Sequence, residues 1–360
     1  MNDLLHNLLR CPVTRSKLRL KAISRSLKNY NETEEDIVTE GILFADEDWF
    51  YPIINGIPRL IVESFIDYED FFLKHLPDYR ERRKKLFQKY EPLIDLVCEK
   101  NRRTKKSFSL EWQLFDYDKD KTWNEKSAGL LDRFLIETNE SKDSLKTKLI
   151  FDAGCGNGLL NQKIAEQGTV ILGMDFSKSI ERAYLHNKER TALFIQGDVQ
   201  FPPVIFEEFD IVHSSGVLIC TNNTELSFSC ISPCVKPGGK LSVWLYAPRK
   251  DFIHNMFNFL RRFTSKLPIQ IQYYIYLITL FPISFIIKRL KGNKQNAREI
   301  MVTILDWFSP EFRWEHSTQE ATSWFHKRQF NAIQITTSDI FGFNIIGTRN
   351  DIGINNTFRK

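Results

Sequence analysis

An apolar run that leads directly into three closely spaced glycines is the feature that most constrains the fold of this chain. Residues 149–152 end in an aspartate, Gly154, Gly156 and Gly158 follow, and residues 159–166 have a helical pattern. Glycines let the backbone turn tightly and bring its N–H groups against a ligand at a helix N-terminus, where partial positive charge accumulates. The segment therefore predicts a nucleotide-type cofactor at the end of the first strand of a doubly wound α/β sheet.

Further segments follow in the order that such a sheet requires. The apolar run at residues 169–174 ends in Asp175, about 20 residues after the glycines, where nucleotide-binding folds hold a ribose diol. A carboxylate suits this role because it accepts hydrogen bonds from two hydroxyls at once. The other predicted strands occupy residues 192–195, 209–213, 235–246, 332–337 and 343–348.

The pattern D-x-G-C-G-x-G around the glycines resembles motif I of class I S-adenosylmethionine (SAM) methyltransferases. It differs from the G-x-G-x-x-G of dinucleotide-binding loops, because position 159 is Leu. In the methyltransferase family an Asp at the position of Asp198 hydrogen-bonds the adenine amino group, and a K-P-G-G turn like residues 236–239 often precedes strand five. The resemblance implies SAM as cofactor and a Rossmann-like, seven-stranded, doubly wound sheet. The predicted cofactor-binding residues are Asp152, Gly154, Cys155, Gly156, Gly158, Asp175, Phe176, Asp198, Val199 and Ser214.

Each of these residues taken singly also has a purely structural interpretation. The glycines can form a tight turn without a ligand, and Asp175 can be a helix N-terminal residue favoured by the dipole. Asp198 can be a turn residue beside Pro202 and Pro203. The order and spacing of the elements favour the cofactor site.

The N-terminal part of the chain is predicted to be a separate small β domain. Asn55 and Gly56 lie between apolar runs and predict a hairpin, because both tolerate positive φ. Residues 8–62 resemble the zinc-ribbon-derived activator subunits of RNA and protein methyltransferases. Cys11 has no second cysteine nearby, so four zinc ligands are not available and we expect no metal. The predicted domains are residues 1–65, a helical basic connector at 66–105, and a methyltransferase domain at 106–360 with a lid insertion at 251–300.

The net charge and the cysteine content limit which binding partners and which cellular compartment we expect. The net charge of +5 is mildly basic, and much of the positive charge lies between residues 80 and 106. A solvated helical face explains this cluster, and a surface for RNA or anionic lipid is the alternative. Six cysteines form no disulfide framework and no signal peptide precedes them, so we expect a cytoplasmic protein.

The segment at residues 251–294 interrupts the alternation of strands and helices after strand five. Its apolar run at residues 267–287 is nearly long enough to span a bilayer, but it contains glutamines and prolines and lies inside the sheet's connectivity. We interpret it as a helical lid over the substrate site. The alternative, which the lid does not exclude, is peripheral contact with a membrane surface to reach a lipid-linked substrate.

The chemistry of methyl transfer requires a nucleophile aligned behind the sulfonium methyl group, helped where needed by a general base. Similar enzymes commonly have G-V-L-H-H-T after strand four, whereas this chain has Ile219, Cys220 and Thr221 after Gly-Val-Leu. Both histidines are replaced, so this stretch does not identify the general base. The candidates elsewhere are His213, Tyr246, Asp306 and His316. Trp112 and Phe115 are candidate pocket or core aromatics.

These observations predict a SAM-dependent methyltransferase that acts on a small-molecule, sugar or lipid-linked acceptor. One alternative is a catalytically degenerate SAM-binding or scaffold protein, which the replaced histidines suggest. The other is an RNA methyltransferase, although nucleic acid is not the expected partner. The acceptor atom and the oligomeric state stay open.

Overall fold

The computed structural model describes residues 1–114, 127–249 and 252–351. Phe115 lies outside these ranges, and the side chain of Trp112 is also outside the description, so their predicted roles stay predictions.

The N-terminal region is an antiparallel β unit. Helix α1 spans Asp3–Leu8, and the strands are β1 (Arg19–Asn29), β2 (Glu34–Phe44), β3 (Phe50–Ile54) and β4 (Ile57–Leu60). Asn55 and Gly56 connect β3 to β4 with φ of 53° and 80°, as the hairpin prediction requires.

Helices lead from this unit to the central sheet. They are α2 (Ser64–Asp67), α3 (Glu69–His75), α4 (Tyr79–Leu114), α5 (Ser127–Thr138) and α6 (Lys142–Leu145). The long helix α4 is interrupted at Tyr90, where φ is −128°, two residues before Pro92. Proline lacks the amide hydrogen that would continue the helical bonding, which explains the break.

Alternating strands and helices form the centre of the molecule. The strands are β5 (Leu149–Ala153), β6 (Val170–Asp175), β7 (Ala192–Gly197), β8 (Phe209–Ser215) and β9 (Val235–Tyr246). Helices α7 (Leu159–Ala165), α8 (Ser179–His186) and α9 (Thr224–Ile231) connect them.

Four helices follow β9 in the region predicted as a lid. They are α10 (Phe252–Thr264), α11 (Ile269–Ile278), α12 (Leu280–Leu290) and α13 (Ala297–Phe308). Helix α14 (Thr318–Lys327) then leads to β10 (Phe330–Ser338) and β11 (Gly342–Arg349). These last two strands are antiparallel, as predicted, and β11 pairs with β9.

The strand order β1-β2-β3-β4-β7-β6-β5-β8-β9-β11-β10 describes one continuous sheet. The predicted Rossmann-like α/β fold is confirmed in its parallel centre, β7-β6-β5-β8-β9. The sheet has eleven strands where seven were expected, because β4 pairs in parallel with β7 through Arg59–Gln196 and Leu60–Gly197. The N-terminal strands are therefore an extension of the sheet and not a module packed on it. The pairing satisfies backbone groups that β7 would otherwise expose at an edge.

Candidate active site

The glycines after β5 adopt the backbone conformations that the sequence predicts. Gly154, Gly156 and Gly158 have φ of 106°, 53° and 72°, which side-chain-bearing residues rarely adopt. A Cβ on Gly154 would collide with the side chain of Val217. A Cβ on Gly158 would lie 2.6 Å from the Cβ of Ala183. Gly154 thus opens space at the strand end, whereas Gly158 allows close packing behind it.

A cavity of about 950 Å³, including space that opens to solvent, lies over the ends of the parallel strands. This position is the usual ligand site of open α/β sheets. Six of the ten predicted cofactor-binding residues line it: Gly154, Gly156, Asp175, Phe176, Asp198 and Val199.

The other four predicted residues lie behind the cavity wall. Burial raises the pKa of the Cys155 thiol well above its usual value, so this cysteine is a neutral packing residue. The Ser214 hydroxyl donates to the carbonyl of Ala153 at 2.8 Å. Gly158 has the packing role described above, and Asp152 bonds His213. The positions of these four residues do not favour direct contact with the cofactor, because each residue faces the interior of the sheet or of the helix layer.

Asp175 holds the loop and the start of α8 together. Its Oδ2 accepts from the Gly156 amide at 2.9 Å, and its Oδ1 accepts from the amide and hydroxyl of Ser177 and the hydroxyl of Ser179 at 2.7–3.0 Å. Burial raises the pKa of Asp175, although these four bonds act in the opposite direction. A carboxylate has about four acceptor positions, so Oδ2 keeps capacity for one more donor from the cavity.

Asp198 forms an ion pair that the sequence did not predict. Lys100 of α4 places Nζ 2.9 Å from Asp198 Oδ2, and Asn101 donates to the same oxygen at 3.3 Å. The backbone amide of Gln200 donates to Asp198 Oδ1 at 2.9 Å, as is common in a turn. Lys100 and Asn101 also line the cavity. No local pattern could have found them, because 97 or more residues separate α4 from Asp198.

His213 is a buried cation and lies outside the cavity. Its Nδ1 is 3.0 Å from Asp152 Oδ1 and its Nε2 is 3.0 Å from Glu137 Oε2. Although burial lowers it, these two carboxylates raise the pKa of His213 to about 9. A ring that is protonated at neutral pH and held by both nitrogens cannot accept a proton from a substrate. The expectation of a catalytic His213 is corrected accordingly.

Tyr246 and His316 also lie off the cavity. The Tyr246 ring is buried under the guanidinium of Arg313, 4.0 Å from its centroid. The His316 ring packs edge-on against Trp324, and its Nδ1 lies 3.0 Å from Glu320 Oε1. Both residues therefore organise the layer behind the site, which argues against a catalytic role.

Asp306 is the catalytic candidate that lines the cavity. It belongs to α13, so a helix of the inserted region contributes a carboxylate to the site. Cys220, at the second of the two positions where similar enzymes have histidines, lines the cavity together with Thr221 and Phe312. The cavity thus has carboxylates at two places. Asp175 and Asp198 lie over the sheet, and Asp306 comes from α13.

A second cavity of about 2210 Å³, including space that opens to solvent, adjoins the first through Phe176 and Ser177. It lies between α4 and the α10–α11 region, and the cationic residues in its wall are Arg102, Lys105, Lys178 and Lys266. Lys105 forms ion pairs with Glu63 at 2.6 Å and Asp67 at 2.5 Å. Among the residues that the structure describes, no cluster of His, Cys, Asp and Glu could hold a metal ion.

Comparison with known proteins shows which family this part of the chain resembles. Residues 151–243, which include the glycine loop, Asp175 and Asp198, match the family model "Methyltransferase domain". The glycine loop, Asp175 and Asp198 thus lie within the part of the chain that matches a methyltransferase family. The ubiquinone biosynthesis O-methyltransferase of Coxiella burnetii is 28% identical over 119 residues, 32% of this chain and 51% of that protein. The mitochondrial enzyme of the same name from Rattus norvegicus is 30% identical over 121 residues, 30% of this chain and 34% of that protein.

The chain thus spans about half the length of the first of these relatives. Among solved structures, the magnesium protoporphyrin IX methyltransferase of Synechocystis with bound SAM superposes with a TM-score of 0.37 at 13% identity, over 69% of this chain and 95% of that chain.

The residues of the methyltransferase domain fit the SAM cofactor. The cavity offers the backbone of the Gly154–Gly156 turn, a carboxylate oxygen of Asp175 with spare acceptor capacity, and the carboxylate of Asp198 in one wall. SAM combines hydroxyl and amino donors with a cationic sulfonium, so acidic acceptors in a partly apolar cleft are the appropriate partners.

Proposed function

We propose that this protein transfers the methyl group of SAM to a small-molecule acceptor. The observation that carries the proposal is the single cavity that joins Gly154, Asp175 and Asp198 to Asp306 on α13. One end has the features of a cofactor site and the other has a carboxylate from an inserted helix. A reaction between two molecules needs both placed in one enclosed space.

The proposed cofactor contacts follow from the geometry. Gly154 and Gly156 let the backbone approach the ligand closely, and Asp175 Oδ2 accepts from a ribose hydroxyl. Asp198, which forms an ion pair with Lys100, accepts from the adenine amino group.

The proposed role of Asp306 is to take the proton of the acceptor. When bound, the cofactor would supply an electrophilic methyl group, and breaking its sulfur–methyl bond would release a neutral thioether as the leaving group. Asp306 would accept the proton that the acceptor's oxygen, nitrogen or carbon loses as its bond to the methyl forms. A general base in this position contributes about 10²–10⁴-fold to the rate.

We further propose a sugar-bearing or lipid-linked acceptor, with the lipid-linked class favoured. Support comes from the size of the second cavity and from its position beside the apolar helices α10 and α11. The cytoplasm remains our proposed compartment, and the six cysteines, which are thiols and not disulfides, agree with it.

Titration of the full chain with SAM in a calorimeter tests the cofactor site. We expect Gly154→Ala to weaken binding by at least about tenfold, because the added methyl collides with Val217 at the cavity wall. Gly168→Ala is the matched control: Gly168 also has positive φ, 83°, but no described atom lies within 4 Å of a Cβ there. Well-folded wild-type protein that binds no SAM, or equal binding by both variants, would contradict the proposed site.

Labelled SAM incubated with the protein and a cell extract then tests transfer, with the product identified by mass spectrometry. The degenerate-scaffold alternative rests on Ile219 and Cys220, which stand in place of two histidines, and Cys220 lies at the cavity wall. SAM binding without any labelled product would favour that alternative.

The RNA alternative is weakened by the ion pairs of the connector. Lys100 and Lys105 pair with Asp198 and Glu63, and several other cations of the connector also have acidic partners. These are Arg82, Arg83, Lys85 and Lys89, which pair with Asp78, Glu69, Glu81 and Glu47. Cations neutralised in this way contribute less to binding a polyanion.

A further inference from the structure

The outer face of α10–α12 exposes an unusual concentration of large apolar side chains. Twelve of them between residues 256 and 290 are exposed, and we call this set the lid surface. The most exposed include Phe263 at 63%, Tyr274 at 66%, Ile278 at 75% and Leu290 at 82%. Soluble proteins rarely show contiguous apolar patches of this kind unless they bind something.

The spacing shows that these residues form continuous stripes. On α12 the exposed residues are Ile283, Ile286, Ile287 and Leu290, which follow the i, i+3, i+4, i+7 pattern of one helix face. On α10 the same pattern recurs at Met256, Phe259, Leu260 and Phe263. In a globular protein such a stripe normally faces the core, whereas here it faces outward.

Helix α12 buries none of its residues, although its sequence is mostly apolar. Its neighbour α13 buries six, including Ile300, Ile304 and Leu305. The inserted region therefore has its own small core around α13, and α12 packs on it through the partly buried Leu280, Phe281 and Phe285 while its other apolar side chains face outward.

The charge of residues 252–298 indicates what kind of partner the lid surface binds. Residues 252–298 contain eight lysines and arginines and no aspartate or glutamate. Six of these cations are exposed: Arg262, Lys266, Arg289, Lys291, Lys294 and Arg298. Apolar stripes accompanied by cations alone complement acyl chains beneath anionic headgroups.

The helix lengths favour a position in the interface over a membrane span. Helices α11 and α12 have 10 and 11 residues and meet at 49°. Each is about 15–17 Å long, roughly half the thickness of a bilayer's hydrocarbon core. Among the described helices, no single one is long and apolar enough to cross a membrane. Helices α11 and α12 reach the necessary length and apolar composition only when they are taken together.

We propose that the lid surface docks on an anionic lipid bilayer, with α10–α12 lying in the headgroup region. Residues 265–270, between α10 and α11, line the second cavity, so docking brings the mouth of that cavity to the membrane. If the proposed methyl transfer is correct, the acceptor then enters from the bilayer. The docking itself does not depend on that activity.

Co-sedimentation of the full chain with vesicles tests the proposal. We expect binding to vesicles of phosphatidylcholine mixed with phosphatidylglycerol, weaker binding to phosphatidylcholine alone, and loss of binding as salt is raised. The variant Phe263→Ser/Ile286→Ser removes one side chain from each of two stripes and should weaken binding about tenfold or more.

Leu185→Ser/Ile340→Ser is the matched control. Leu185 and Ile340 are 78% and 69% exposed but lie outside the lid surface, so vesicle binding should not change. Circular dichroism and SAM titration check that both variants are folded. Absence of wild-type binding to either vesicle, or equal losses in both variants, would overturn the proposal. A wild-type dimer in sedimentation velocity that the lid variant alone dissociates would also overturn it, since the occupant would then be a second copy of the chain.

Discussion

The N-terminal strands and the helices α10–α12 are both additions at the periphery of one parallel sheet, but they treat their apolar residues in opposite ways. In the N-terminal unit Trp49, Phe50 and Tyr51 are fully buried, and β4 completes the hydrogen bonding of β7. In α12 no residue is buried. The first addition is therefore part of the fold, and the second leaves its apolar area for a partner outside the chain. Apolar composition alone does not distinguish the two.

The largest expected effect concerns α13, where the insertion meets the cavity. We expect Asp306→Asn to lower the rate of labelled methyl transfer into extract acceptors by about 10²–10⁴-fold, because it removes the proposed proton acceptor. The calorimetric affinity for SAM should change little. Asp143→Asn, at an exposed carboxylate paired with Lys146, is the control. Undiminished transfer would remove Asp306 from the mechanism.

The contrast in burial predicts unequal costs for the same kind of substitution. Phe50 packs against Phe72 and Tyr79 at ring-centroid distances of 4.8 and 6.1 Å. Phe50→Ala should therefore lower the free energy of unfolding by about 3–5 kcal/mol in a denaturant titration. Ile286→Ala, at a side chain 58% exposed, should change it by no more than about 0.5 kcal/mol. Similar losses in both variants would mean that α12 belongs to the core.

The sheet centre has a pH dependence that comes from one buried histidine. The pKa of His213 is raised from 6.5 to about 9, so its ion pairs stabilise the folded state fully below pH 6.5. That contribution, about 3 kcal/mol, is lost as the pH rises through about 9. Unfolding titrations between these pH values should show the decline in wild type. Glu137→Gln, which removes one carboxylate partner, should move the decline to lower pH. An unchanged pH profile in the variant would show that His213 is not the titrating group.

A smaller effect is expected where the connector meets the cofactor cavity. Lys100→Met keeps the length of the side chain but leaves the Asp198 carboxylate, only 8% exposed, without its cation. Because an uncompensated buried charge is costly, we expect SAM affinity to fall about tenfold. Lys89→Met on the same helix removes only an exposed pair with Glu47 and should have no effect. Equal SAM affinity in the two variants would show that Lys100 does not position Asp198.

Local patterns were sufficient for the elements and for the cofactor loop. The end of β5 next to Asp152, the end of β6 at Asp175 and the positive φ at Gly154 follow from residues that are neighbours in the chain. The failures arose where the decisive partner is remote. His213 was taken for a base because nothing near it reveals Glu137, 76 residues away. Lys100 was not singled out at all, because its partner is 98 residues distant.

The amino-acid sequence by itself determined the alternation of strands and helices and the glycine turn that shapes the cofactor loop, because periodicity and allowed backbone angles are local properties. Only the tertiary structure decided that β4 joins β7, that Asp306 enters the cavity, and that the apolar stripes of α10 and α12 face outward. Strand pairing and burial are contacts between distant segments, and the same apolar helix pattern serves a core or an exposed surface according to what packs against it.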